Sequence, residues 1–218
     1  MRYLKFTQKE KQALCRQAPE FRPIVRQVEL RPRECGGDLF LALVESVVSQ
    51  QLAVKAADAI FRRVETLLGN RIEPEALLAA DPEKLRACGL SGRKVEYLRG
   101  IAEARISGTV DFDSLAEKPD AEVITELVKL KGVGVWTAEM LLLFALGRRD
   151  ILSSRDLGIR RGIMMLNGLD DLSDEQFEFY RRRYSPYGSL ASLYLWRIKD
   201  GGLAAARTSA KPKKGESK

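Results

Sequence analysis

Residues 127–156 read LVKLKGVGVWTAEMLLLFALGRRDILSSRD, and the rest of the chain is arranged around them. Leu127, Val128 and Leu130 close a first helix, and Lys131-Gly132-Val133-Gly134 makes a tight turn. A second helix runs over residues 134–146, with Ala138, Leu141, Leu142 and Ala145 at helical spacing. Two glycines around a β-branched residue admit backbone angles that a Cβ forbids, and let another backbone approach. The segment ends in a carboxylate, Asp156.

Such a hairpin suits an anion. The second helix begins with amides that have no intrahelical acceptor, and its dipole favours negative charge at that end. The carbonyls ending the first helix are equally unpaired and suit a small cation. A helix C-cap followed by a turn would explain the glycines on their own equally well.

Working outward, Thr7-x-x-Glu10 is a capping box that opens a helix over residues 7–18. Pro19, Pro23 and Pro32 punctuate the stretch after it, and Gly36-Gly37 marks a boundary. The run after Asp38, LFLALVESVVSQQ, is apolar almost all round, as in a helix buried in a bundle. Residues 53–68 are amphipathic. Short helices come next at 74–80 and after the Asp81 cap, and Ser91 caps a longer one with Arg93, Lys94 and Arg99 on its outer side. Residues 157–166 are helical up to Gly168. Ser173-x-x-Gln176 is a second capping box, and Pro186 starts a last helix through Trp196. No strand of convincing length alternates, so the fold class is all-α.

At 218 residues and 45% hydrophobic, the chain buries a sizeable core. No run approaches the roughly 18 apolar residues of a membrane span. The opening MRYLKFTQKEK has no apolar signal core, so a cytoplasmic location is expected, nucleoid-associated in a prokaryote. Cys15, Cys35 and Cys88 are odd in number and widely spaced, which fits reduced structural thiols. They lack the clustering of an iron–sulfur site. Histidine is absent, which excludes His general-base catalysis. The net charge is +7; SAKPKKGESK at the end carries four Lys against one Glu, a net +3, leaving +4 on the rest. That balance suits loose, salt-sensitive contact with a polyanion. Residues 207–218 are expected to form a basic, disordered tail.

The string L-x-G-V-G-x-W-T-A, followed some twenty residues on by Asp156 within S-R-D-L-G, resembles the helix-hairpin-helix DNA glycosylase superfamily. Upstream, VVSQQLAVKAADAIFRRV (residues 47–64) resembles the segment that begins that catalytic core, and YSPYGSLASLYLWR (residues 184–197) resembles its closing helix. Within the superfamily the chain looks most like the 3-methyladenine DNA glycosylase II, alkylated-base branch. The resemblance implies two helical subdomains with a cleft between them: residues 36–147, with the hairpin at about 120–147, and residues 1–35 plus 148–206. It implies an enzyme of base excision repair that acts on damaged duplex DNA as a monomer, away from membranes.

Residue roles come from the same resemblance. Asp156 would stabilise the oxocarbenium charge that develops on the sugar and assist the attacking water. Bifunctional relatives carry a nucleophilic Lys where Trp136 stands here, so a monofunctional, water-using enzyme is implied. Trp136 and Trp196 match positions of pocket aromatics, whose electron-rich faces attract a cationic alkylated base by about 0.5–2 kcal/mol. Met140 and Leu157 would complete the base pocket, where some relatives carry Tyr. Gln51, or its neighbour Gln50, would wedge into the gap left by the flipped nucleotide. Gly132, Gly134, Lys131, Thr137 and Arg155 would hold the DNA backbone, with Arg160 and Arg161 nearby. Backbone carbonyls of Val128, Leu130 and Gly132 would hold a structural K⁺ or Na⁺; no other cofactor and no iron–sulfur cluster is implied. Lys131 replaces a frequent Pro, and Gly188 stands where some relatives have a basic residue. Two other readings stay open: a non-catalytic hairpin DNA-binding protein, and a glycosylase for mismatched thymine or uracil.

Overall fold

The computed structural model describes residues 2–202, so the basic tail expected over residues 207–218 lies outside them. Among the described residues the chain is mostly helical, and no helix is long and apolar enough to cross a membrane. It divides into two compact units.

The first unit comprises Arg2 and Cys35–Gly147. Its helices are α3 (Leu39–Ser49), α4 (Val54–Leu67), α5 (Pro74–Ala79), α6 (Pro82–Ala87), α7 (Gly92–Ser107), α8 (Asp120–Leu127) and α9 (Val135–Phe144). Helix α3 starts because the Asp38 carboxylate accepts the Phe40 N–H at 2.8 Å. It buries Phe40, Leu43, Val44, Val47 and Val48 against α4, α7 and α9. Its nearly all-apolar composition has this cause, since it is surrounded by three helices. Phe40 also meets Phe112 edge to face, with centroids 6.0 Å apart.

The second unit comprises Tyr3–Glu34 and the chain from Arg148 onward. It contains α1 (Gln8–Gln17), α2 (Arg22–Gln27), α10 (Leu157–Asn167), α11 (Asp174–Tyr184) and α12 (Gly188–Arg197). Its core joins Leu14, Phe21 and Ile24 from the N-terminal segment to Ile159, Ile163, Phe177, Tyr184 and Tyr194. Phe21 packs edge-on to Tyr184 at 5.0 Å. Both capping boxes form, at Thr7/Glu10 and Ser173/Gln176.

Several elements differ from the sequence reading. Two three-residue strands, β1 (Arg2–Leu4) and β2 (Arg33–Cys35), pair with one another. Three residues are too few to show alternation. Pro23 lies in the first turn of α2, where a missing N–H costs nothing, so that proline admits a helix instead of interrupting one. Helix α12 begins at Gly188, two residues after Pro186, because the Asp150 carboxylate accepts the Gly188 N–H at 2.9 Å.

Lys94 and Arg99 do not lie on an outer face. Each caps the C-terminus of a neighbouring helix. Lys94 Nζ donates to the carbonyls of Val48 at 2.7 Å and Gln50 at 2.8 Å, at the end of α3. Arg99 Nη1 donates to those of Leu78 at 2.8 Å and Ala80 at 3.2 Å, at the end of α5. Unpaired carbonyls and the negative end of the helix dipole attract a cation there.

Candidate active site

In the first unit, α8 and α9 form the hairpin. The Val133 N–H donates to the Leu130 carbonyl at 3.0 Å, and Gly132 takes a φ of +86°. A Cβ on Gly132 would come within 2.2 Å of the Tyr97 ring. Glycine is therefore required twice, by the backbone angle and by the ring against it. Helix α9 begins after Gly134 with no side chain capping its first amides. Those N–H groups and the positive end of the dipole suit a phosphate. Lys131 beside them is exposed and paired with Glu96 at 3.2 Å, so a phosphate there would share its amine with that carboxylate.

Beside the hairpin, α3 ends in a braced loop. The Gln50 side-chain amide donates to the Gly132 carbonyl at 3.0 Å, tying the end of α3 to the turn. The next residue, Gln51, adopts a φ of +58°, which non-glycine residues seldom take, and its side chain is exposed. Lys94 fixes the carbonyls on the other side of the bend. Withdrawal of that amine from water pulls its pKa down. Gln50, Gln51, Trp136 and Thr137 share the wall of one cavity of about 530 Å³ with Ser46, Ser49 and Leu52. Trp136 is 41% exposed, whereas Thr137 and Met140 on the same helix are buried.

In the second unit, Asp156 is the N-cap of α10. Its Oδ1 accepts the Ile159 N–H at 2.8 Å and the Trp196 indole N–H at 3.0 Å. The residue is only 8% exposed. A Cβ at position 158 would lie 2.8 Å from the Trp196 ring and 3.0 Å from Oδ1, so Gly158 lets the indole reach the carboxylate. The loop leading to Asp156 is fastened to α12 by two buried serines. Ser189 Oγ accepts the Ile151 N–H at 3.0 Å and donates to the Arg148 carbonyl at 2.6 Å, and Ser192 Oγ donates to the Ile151 carbonyl at 2.8 Å. This is a carboxylate of fixed position, the arrangement that stabilises a developing positive charge without reorganisation.

The structure thus gathers Gln50, Gln51, Trp136 and Thr137 around one cavity, and Asp156 with Trp196 as a hydrogen-bonded pair. Trp196 has its polar edge on the carboxylate. It also lines a second cavity of about 430 Å³ with Leu30, Arg31 and Leu193. Leu157 is 70% exposed beside Asp156, and Arg155 is exposed. Arg160 is a structural residue: it pairs with Asp174 at 2.9 Å, bonds the Leu172 carbonyl and stacks over Phe177. Lys94 and Tyr97, beside the hairpin in the first unit, and Gly158, beside Asp156 in the second, are brought out only by the structure. Of the three, Gly158 alone carries a signal in the sequence, as the glycine of S-R-D-L-G.

Of the three hairpin carbonyls, that of Gly132 already accepts Gln50, that of Leu130 accepts Val133, and no hydrogen bond reaches that of Val128 among the described residues. No group of three or more Cys, Asp or Glu side chains among the described residues is placed to hold a metal.

Comparison with known proteins gives one family and several relatives. The family described as HhH-GPD superfamily base excision DNA repair protein matches residues 44–186. The chain is 39% identical over 176 residues to DNA-3-methyladenine glycosylase 1 of Schizosaccharomyces pombe, covering 79% of this chain and 76% of that protein. The crystal structure of a DNA-3-methyladenine glycosidase from Bacillus halodurans superposes with a TM-score of 0.82 at 37% identity, over 94% of this chain and 95% of that one. A Schizosaccharomyces pombe 3-methyladenine DNA glycosylase in complex with abasic DNA gives a TM-score of 0.78 at 34% identity, over 88% and 97%.

Proposed function

The chain belongs to the HhH-GPD superfamily of base excision DNA repair proteins, and we propose that it is a monomeric, monofunctional DNA glycosylase that hydrolyses the N-glycosidic bond of alkylated purines in duplex DNA. The observation that carries this reading is the buried Asp156 carboxylate, held by the Trp196 indole and the α10 backbone. Similar proteins of Schizosaccharomyces pombe and Bacillus halodurans are described as 3-methyladenine glycosylases or glycosidases, and one structure holds abasic DNA, which supports the substrate class and the partner.

In this mechanism the amides opening α9 bind a backbone phosphate, and Gln51 enters the stack where the target nucleotide leaves it. Unstacking costs a few kcal/mol, and the inserted amide offsets part of that. Trp136 offers an indole face to the extruded base. A purine alkylated at N3 or N7 is cationic, so the face attracts it and the weakened glycosidic bond needs little further activation. The C1′–N bond breaks with its electron pair leaving on the base, which departs neutral. Asp156 stabilises the sugar cation, and the oxygen of a water bonds to C1′ while its proton passes to the carboxylate or to solvent.

Position 136 carries an indole, which has no nucleophilic amine, so the reading includes no strand cleavage by the enzyme itself. The carbonyls of Val128, Leu130 and Gly132 are neutral oxygens without a carboxylate, a set that fits a monovalent cation. Such an ion would neutralise the end of α8 and add positive charge beside the bound phosphate.

The test is excision from duplexes carrying 3-methyladenine, 7-methylguanine, uracil or 8-oxoguanine, developed with and without alkali. Methylpurine release with breaks only after alkali is expected. Breaks without alkali would end the monofunctional reading, and release of uracil alone would move the protein to another branch. Tight DNA binding with no base released would make it a binding module.

A further inference from the structure

A third cavity, strongly cationic, lies wholly within the second unit. Residues 8, 11, 12, 15 and 16 run along one face of α1, and residues 22, 25 and 26 along one face of α2. Between them is a cavity of about 550 Å³, within the usual range for small-molecule sites. Lys11, Arg16, Arg22 and Arg26 line it, with no Asp or Glu among the lining residues.

Lys11 is the informative member. It is only 9% exposed, yet its amine has no hydrogen-bond or ion-pair partner among the described residues. Its stem is packed away, but its amine is not among the buried unpartnered nitrogens, so the charge stays accessible at the cavity wall. The nearby acids are engaged elsewhere: Glu10 with Thr7 and Arg149, and Glu20 with Arg183. Arg22 Nε donates to the Cys15 carbonyl at 3.3 Å, which fixes that guanidinium at the wall. The Cys15 thiol senses the same field: burial pushes its pKa up, and Arg22 and Arg26 pull against that.

We propose that this cavity binds a phosphate-bearing anion, with the unpaired Lys11 amine as a counter-charge at its wall and Arg16, Arg22 and Arg26 as the clamp. Arginine forks match phosphate oxygens bidentately, while lysine acts as a point charge. Gln8 and Gln12 supply neutral donors, and Val25 an apolar wall. The phosphate belongs either to a small free ester or to a DNA strand. The proposal does not depend on the glycosylase reading.

The experiment uses the full chain and two variants, Lys11→Met and Arg26→Gln; the second changes an exposed side chain and spares the fold. Thermal unfolding is followed against inorganic pyrophosphate at constant ionic strength. Affinity for an undamaged 30-base-pair duplex is measured over a salt series. A saturable rise of several degrees with pyrophosphate, lost in both variants while their unliganded melting points stay near wild type, supports the site with a free ester as its ligand. No response to pyrophosphate, but a salt slope reduced by about one in each variant, supports it with DNA as the source. Equal responses of wild type and variants in both assays would overturn the proposal, leaving Lys11 as a side chain that buries its stem and extends its amine to water.

Discussion

The end of α3 and the start of α10 are built in opposite ways. At α3 the chain turns through Gln50 and the exposed Gln51, and long polar side chains hold it. Lys94 grips two carbonyls and Gln50 grips the hairpin. At α10 the key group is itself buried; an N-cap bond and a neighbouring glycine hold it locally, and the indole N–H of Trp196 reaches it from 40 residues away. In the proposed function the first design would suit a part that meets a deformable duplex. The second suits a charge that must not move while the reaction proceeds.

That contrast predicts a graded set of effects. Asp156→Asn should lower excision roughly 10²–10³-fold, the scale for removing one preorganised electrostatic group. Its melting point should shift little, since Asn is as good an N-cap as Asp. A single-turnover rate beside a melting curve separates the two. Trp196→Phe keeps an aromatic ring, though a smaller one, and deletes the N–H. A hydrogen bond to a charged group contributes about 1.5–3 kcal/mol, so a loss of rate of roughly ten- to a hundredfold is expected with DNA affinity retained.

Lys94→Met should show the reverse pattern. Affinity for duplex DNA should fall several-fold, and the melting point by a few degrees, as the carbonyls of Val48 and Gln50 lose their cap. A rate loss at saturating enzyme larger than the affinity loss would contradict the division of labour.

The smallest effect concerns pH. Tyr194, buried in the second unit, has its pKa pushed up to about 12, and burial raises that of Tyr184 as well. Below pH 10 both phenols are neutral in folded and unfolded chains, and stability is unaffected. Above it the unfolded chain ionises first and binds fewer protons, so stability falls as pH rises. Each unit has one tryptophan, so fluorescence of Trp136→Phe and Trp196→Phe proteins reports them separately. Denaturation midpoints at pH 9 and 11 should drop more for the unit reported by Trp196.

The same contrast decides what the sequence can disclose. Caps act over two or three residues, so Thr7, Asp81, Ser91, Asp156 and Ser173 are legible, and with them most helix starts. The hairpin is legible because its glycines are spaced by a local turn. The braces are not. Lys94 reaches carbonyls 46 and 44 residues away, and Gln50 reaches across 82 residues. On a helix face that reads as solvated, nothing distinguishes a lysine that caps a neighbour from one that faces water. The link between Trp196 and Asp156 spans 40 residues and is hidden for the same reason. The sequence presents Trp196 as an aromatic face, whereas its N–H edge is what the carboxylate engages.

The most direct test of the catalytic pair is a double-mutant cycle on single-turnover excision of 7-methylguanine, using wild type, Asp156→Asn, Trp196→Phe and the double variant. If the indole acts through the carboxylate, Trp196→Phe slows wild type but leaves the Asp156→Asn enzyme unchanged. If the two losses multiply, Trp196 works independently of Asp156, and the claim that this pair forms one catalytic unit is wrong.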